Sequence, residues 1–141
     1  MVIQRWQSIY LLLAIFAMIL VFIRPFGYIE TGMGPITTAA LIPLNYPVFF
    51  ILNLLTTALL IIDIFLYKNL RLQRMVAAIS ILLMAASAIT VAIILTRSAD
   101  VWSIEWGGAP VGLICALICT WLARYRMGKD EETLRSYDRI R

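Results

Sequence analysis

Asp63 is the one acidic residue inside an apolar run of this chain, and few other side chains there can do chemistry. It lies five residues before Lys68, so about 7 Å of helix separates it from the end of its run. An ionisable group at such depth marks a functional position by default. Lys68, Arg71 and Arg5 end on the same side, and a structural ion pair near the headgroups is the plainer and preferred reading. Asn53, Thr56 and Thr57 add a thin polar stripe, which neighbouring helices are expected to satisfy. A proton-coupled carrier wants its carboxylate nearer the midplane, and intramembrane aspartyl chemistry needs two acids where the apolar segments supply one.

The chain has no histidine, which removes His-liganded haem, most zinc sites and every nucleophile–His dyad. Its two cysteines, Cys115 and Cys119, are four apart in the last apolar segment and share one helix face. They read as small packing residues, because a redox pair needs an accessible, polarised thiol. No catalytic residue, cofactor or metal ligand follows from the sequence, so an enzyme is not expected.

The elements that must position these residues are four charge-free segments, Trp6–Ile23, Tyr46–Ile62, Met75–Thr96 and Trp106–Ala123. Each is long enough, with a few flanking residues, to cross about 30 Å of hydrocarbon as a helix. A chain of 141 residues that is 62% hydrophobic and 14% charged is no ordinary soluble domain. The expected fold is an all-α, four-helix antiparallel transmembrane bundle over residues 1–128, with helices near 6–24, 46–67, 75–96 and 108–126. Residues 129–141 form a charged tail. The opening run has the look of a signal peptide but lacks a small-residue cleavage site, so it reads as an uncleaved first helix. Pro25 and Gly27 stop that helix. Pro47 starts the second, and the link at 68–74 makes the second and third helices antiparallel neighbours.

Residues 24–45 carry three prolines and three glycines and are too broken to span. Tyr28–Thr31 and Ile36–Ala39 are β-prone around a turn-like Gly32-Met33-Gly34-Pro35. A small hairpin is compatible with this pattern, and the alternating Val101–Trp106 would extend it to three strands. A bare loop is the alternative.

Ten of the twelve Lys and Arg residues lie on the side holding the N-terminus, the 68–74 link and the tail; Arg24 and Arg97 lie opposite. That bias places both termini in the cytoplasm and the strands outside. Trp6, Tyr10, Phe26, Tyr46, Tyr67, Trp106, Trp121 and Tyr125 cluster at helix ends, as interfacial anchors do. The positive charges match topology and anionic headgroups rather than nucleic acid. Gly108, Gly112 and Ala116 are four apart, with Ala123 near the same stripe, and Ala77, Ser80, Ala85, Ala88 and Ala92 do the same on the third helix. Such residues let helices approach closely. Packing within the bundle is preferred over a partner-helix surface.

The tail is the most unusual local sequence. Glu131 and Arg135 form an i,i+4 pair in the favourable order, and Asp130, Glu131 and Glu132 suit a helix start. Leu134, Tyr137 and Arg141 share one face, so a short amphipathic helix after a break at Gly128 is reasonable. Lys129, Asp130, Glu131, Leu134, Arg135, Ser136, Asp138, Arg139 and Arg141 are the candidate partner-binding residues. A solvated basic tail that only enforces topology is the alternative.

The opening Ile3–Leu13, the link Leu66-Tyr67-Lys68-Asn69 with Leu72-Gln73, and the ending Lys129-Asp130-Glu131 … Arg135-Ser136 … Asp138-Arg139-Ile140-Arg141 resemble a family of small four-helix membrane proteins from Bacteroidota. That family carries a domain-of-unknown-function label. The tail departs slightly from it at Glu132, Thr133 and Tyr137. The resemblance implies a bacterial inner-membrane location and brings no activity, ligand or catalytic residue.

The first functional expectation is therefore a non-enzymatic accessory or scaffold protein in contact with the lipid bilayer, binding a protein partner through its tail, with no nucleic acid involved. The alternative is a small oligomeric carrier or channel using Asp63 and the Asn53 stripe. Topology is testable directly. Single cysteines at positions 36 and 103 are expected to label from outside, and at positions 71 and 133 only from inside. Outside labelling at position 133 would overturn the orientation.

Overall fold

The computed structural model describes residues 2–31, 37–40, 45–97 and 101–138. Four helices, α1 (Val2–Ile23), α2 (Pro47–Phe65), α3 (Leu70–Arg97) and α4 (Ala109–Asp138), alternate with three short strands, β1 (Gly27–Thr31), β2 (Thr37–Ala40) and β3 (Val101–Trp106). All four helices are long and apolar enough to cross a membrane.

What each helix buries follows one rule. In α1 a buried stripe runs through Gln7, Leu11, Ala14, Met18 and Val21, with Ala17 buried beside it; in α2 the stripe is Phe49, Asn53, Thr56, Leu60 and Asp63. In α3 the stripe is Gln73, Ala77, Ser80, Met84, Ser87 and Val91; in α4 it is Ala109, Leu113, Ala116, Thr120, Ala123 and Met127, with Gly112 buried beside it. The spacing alternates four and three residues, a period of 3.5, which suits helices crossing at a shallow left-handed angle. Large apolar side chains point the other way: Leu12, Leu13 and Phe16 in α1 and Ile51, Leu54 and Leu55 in α2 are exposed. Only 28–33% of each span is buried. That is the inverse of a soluble bundle and the pattern of one solvated by lipid.

The helices form a closed ring in which α1 packs most extensively on α4, with further contacts α1–α2, α2–α3 and α3–α4. Three ties fix the neighbours as antiparallel. The Phe26 ring, just past the end of α1, meets Phe49 at the start of α2 edge to face, 5.0 Å between centroids. Gln73 Nε2 at the start of α3 donates to the Asp63 carbonyl near the end of α2, 3.1 Å away. Gln7 at the start of α1 donates to Asp130 near the end of α4.

The strands form one antiparallel sheet in the order β2–β1–β3. Tyr28 pairs with Ala40 on one side and Glu105 on the other, with a bulge at Glu30/Thr31. The expected turn at 32–35 lies outside the described residues. The sheet is bolted to the bundle at Gly107, whose N–H donates to Phe26 O at 2.9 Å. A Cβ at Gly107 would lie 1.9 Å from Pro25 O, so no other residue fits.

Several expectations need correction. The α2–α3 link is only residues 66–69, because Leu70–Arg74 forms the first turn of α3 and brings Gln73 into the core. No break occurs at Gly128: α4 runs unbroken through Asp138, since the tail's ionic and amide contacts hold it helical. Its 30 residues make a rod of about 45 Å. Phe26 is buried against Phe49 rather than interfacial, and Tyr10 and Tyr46 pack partly against the core.

Gly107 and Gly108 offer a matched test. Gly107→Ala is expected to lower stability by about 2 kcal/mol or more, as a forced overpacking does. Gly108→Ala should stay near the parent, because its Cβ would meet nothing closer than Arg24 side-chain carbon at 3.7 Å. Thermal unfolding in mild detergent compares them; equal melting would refute the bolt.

Candidate functional site

Two regions of the chain hold polar groups in arrangements that a lipid-solvated bundle does not need for packing alone. The first is the buried stripe of α2 and α3. Asn53, Thr56, Asp63, Gln73, Ser80 and Ser87 are all essentially inaccessible. The hydroxyls satisfy themselves on their own helix: Thr56 donates to Leu52 O at 2.7 Å, Thr57 to Asn53 O at 2.8 Å and Ser80 to Val76 O at 3.1 Å. Asn53 Nδ2 does likewise on Phe49 O at 2.7 Å. The expectation that neighbouring helices satisfy these groups is therefore corrected. The backbone carbonyl four residues back is closer than any neighbour, and a helix leaves its second lone pair free.

What remains unsatisfied is one-sided. Asn53 Oδ1, both carboxyl oxygens of Asp63, and Gln73 Oε1 are buried without a hydrogen-bond partner among the described residues. All four are acceptors. Among the described residues Asp63 makes no ion pair: Arg71 and Arg74 are drawn to Glu131 instead, and Lys68 Nζ sits 6.0 Å from the Tyr67 ring centre. The physical reason lies in the helix geometry. Asp63 falls on the buried stripe of α2, while Lys68, Arg71 and Arg74 are exposed.

The second region is the end of α4. Glu131 gathers three arginines: Arg71 Nε at 3.8 Å, Arg74 Nη1 at 3.5 Å and Arg135 Nη2 at 3.2 Å. The Arg135 contact is the i,i+4 pair that the sequence predicts. Asp130 accepts from Gln7, and Lys129 lies 5.1 Å from the Tyr125 ring centre. Ser136 Oγ donates to Thr133 O at 2.7 Å. Leu134 and Tyr137 are exposed. Asp138 is the last residue of α4, and Arg139 and Arg141 lie outside the described residues. So Asp130 and Glu131 are spent on holding the tail to α1 and α3, while Leu134, Arg135 and Tyr137 face outward.

The small-residue stripe divides. Gly112, Ala116 and Ala123 are buried, and a Cβ at Gly112 would stand 3.0 Å from Ala17 O and 3.2 Å from Val21 Cγ2. They let α1 and α4 approach closely. Gly108 is exposed, as are Ala85, Ala88 and Ala92 of α3. Cys115 and Cys119 are free thiols. Gln7, Gln73 and Thr120 are structural residues that the sequence reading passed over. Their signal was phase: each sits on the same 4-3 stripe as the buried apolar residues.

Four membrane-length helices with apolar outer faces define a small multi-pass membrane protein. Residues 3–140 match the family model described as Domain of unknown function (DUF4293), and the chain belongs to that family. No curated protein and no solved structure matches it.

The unpartnered carboxylate gives a sharp expectation. Asp63→Asn keeps the shape, removes a buried ionisable group and supplies a donor for the carbonyl one turn back, as Asn53 does. Unfolding in detergent should show stability raised by about 1 kcal/mol or more. A loss of stability would mean that the carboxylate holds a partner in the membrane.

Proposed function

We propose that the chain is a non-enzymatic accessory or scaffold subunit of the bacterial inner membrane, with both termini cytoplasmic and the sheet outside. Its partner is a cytoplasmic or membrane-complex protein that receives the projecting end of α4. The observation carrying this reading is that α4 continues past its apolar part as a braced helix. Ala123 ends the charge-free run, and the helix goes on to Asp138, about 22 Å further at 1.5 Å per residue. The Glu131 cluster and the Gln7–Asp130 bond fix its direction. A chain needing charge only for topology would not order its tail in this way. The exposed Leu134 and Tyr137 lie three apart on one face and suit an apolar notch on a partner. The guanidinium groups suit carboxylates around that notch. The ten-to-two distribution of Lys and Arg supports the orientation.

A second reading keeps one specific support. Four buried acceptors without a donor are what a proton-linked or cation-linked carrier would place in its path, with Asp63 the carrying group. A proton-linked flux in liposomes that Asp63→Asn loses would favour it.

The leading reading is tested by recovering partners in mild detergent with the full chain, with Arg135 and Arg139 both changed to Lys, and with a version ending at Gly128. The double change keeps the charge and loses the planar fork. Partner recovery is expected to fall about tenfold, the factor of one lost charge-assisted hydrogen bond, while membrane insertion is unchanged. Equal recovery by the Lys version would reduce the tail to a charge signal.

A further inference from the structure

A groove of about 680 Å³ opens between α3 and α4 where α4 leaves its apolar run. Among its lining residues are Arg74 from α3 and Trp121, Arg124, Tyr125, Lys129 and Glu132 from α4. Their order along the helix carries the argument. Trp121 and Tyr125 are one turn apart and both exposed, on either side of the point where the charge-free run ends at Ala123. Arg124 follows at once, and Lys129 comes one turn after Tyr125. Arg74 reaches across from α3, its guanidinium carbon 3.7 Å from where a side chain on Gly128 would begin, so its charged end lies over α4 at the level of Gly128.

These cations are not equally occupied. Arg74 and Arg135 share Glu131, and Lys129 rests over Tyr125. Arg124 makes no ion pair among the described residues. The lining as a whole has more cations than carboxylates. The groove thus offers aromatic surface on its hydrocarbon side and guanidinium and ammonium donors at the next level outward.

We propose that this groove binds the headgroup of an anionic phospholipid. The phosphate accepts hydrogen bonds from Arg124, Arg74 and Lys129, a geometry that guanidinium forks favour. The glycerol and upper acyl chain lie against Trp121 and Tyr125, aromatic types that belong at this level of a bilayer. A soluble phosphate has nothing to place on the rings, and so uses half the site. The assignment is independent of the protein partner, because it rests on Arg74, Arg124 and Lys129 and not on Arg139 or the outer face of the tail.

The test uses the full chain in phosphatidylcholine nanodiscs, with Trp6, Trp102 and Trp106 replaced by Phe so that Trp121 reports alone. Brominated phosphatidylglycerol is expected to quench Trp121 at about fivefold lower mole fraction than brominated phosphatidylcholine, the factor that one cation near an anionic surface contributes. Arg124→Gln spares the Glu131 ties and should erase that preference; Arg124→Lys should keep part of it. Equal quenching by the two lipids overturns the proposal, as does a preference that survives Arg124→Gln. Millimolar inorganic phosphate that abolishes the preference would assign the groove to a soluble phosphate and overturn the lipid assignment. Should the tryptophan changes disturb folding, native mass spectrometry of the parent and Arg124→Gln reads the same question. Anionic lipid should be retained over phosphatidylcholine by the parent alone, and equal retention by both proteins refutes the site.

Discussion

Everything in this fold depends on the absence of a hydrophobic drive between helices once they sit in lipid. Leu12, Phe16, Leu54 or Ile61 gains nothing by turning inward, and all four are exposed. What holds the helices is close approach, and close approach selects for small side chains. Gly112 on α4 lies against Ala17 and Val21 on α1, within the most extensive contact of the ring. The same constraint admits polar residues to the interior. A threonine or serine can be buried cheaply when its hydroxyl bonds the carbonyl a turn back, as Thr120 does with Ala116 O at 2.7 Å and Thr56 with Leu52 O.

Ring closure is secured differently at the two ends. At the sheet end the ties are backbone: Gly107 N–H on Phe26 O, Ala109 N–H on Pro25 O at 3.3 Å, and strand pairing of β1 with β3. At the other end they are side-chain contacts, with Gln7 on Asp130 and three arginines on Glu131. The first end is fixed by shape and tolerates almost no change at Gly107. The second is fixed by charge, and most of its members are partly in water. Exposed ion pairs contribute little singly. Glu131 gains its weight from gathering several of them onto a carboxylate whose side chain is only 20% exposed.

The α2–α3 interface departs from this self-sufficiency. Gln73 donates to the Asp63 carbonyl and Asn53 to Phe49 O, yet among the described residues four oxygens on the same three side chains are left without donors. In a medium with no water, an imbalance of that kind is costly. It marks the part of the bundle where packing alone does not explain the residues present.

The four apolar spans and the placing of charge beyond them were legible in the sequence, because length and hydropathy act residue by residue and need no neighbours. The strand at Val101–Trp106 and the Glu131–Arg135 pair were legible for the same local reason. What Asp63 touches was not. Its distance along the chain to Lys68 and Arg71 is short, but the 4-3 phase of α2 turns it inward while those cations turn out, and only the assembled ring decides which stripe is inside. Gln7 and Asp130 are 123 residues apart, and nothing local in either connects them. The continuity of α4 through Gly128 was likewise a tertiary outcome: a lone glycine costs a helix about 1 kcal/mol, and the contacts of Asp130 and Glu131 with α1 and α3 decide against the break. The sequence by itself determined what each segment is soluble in. The tertiary structure decided which charges meet, because that depends on helix phase and on the order of the ring.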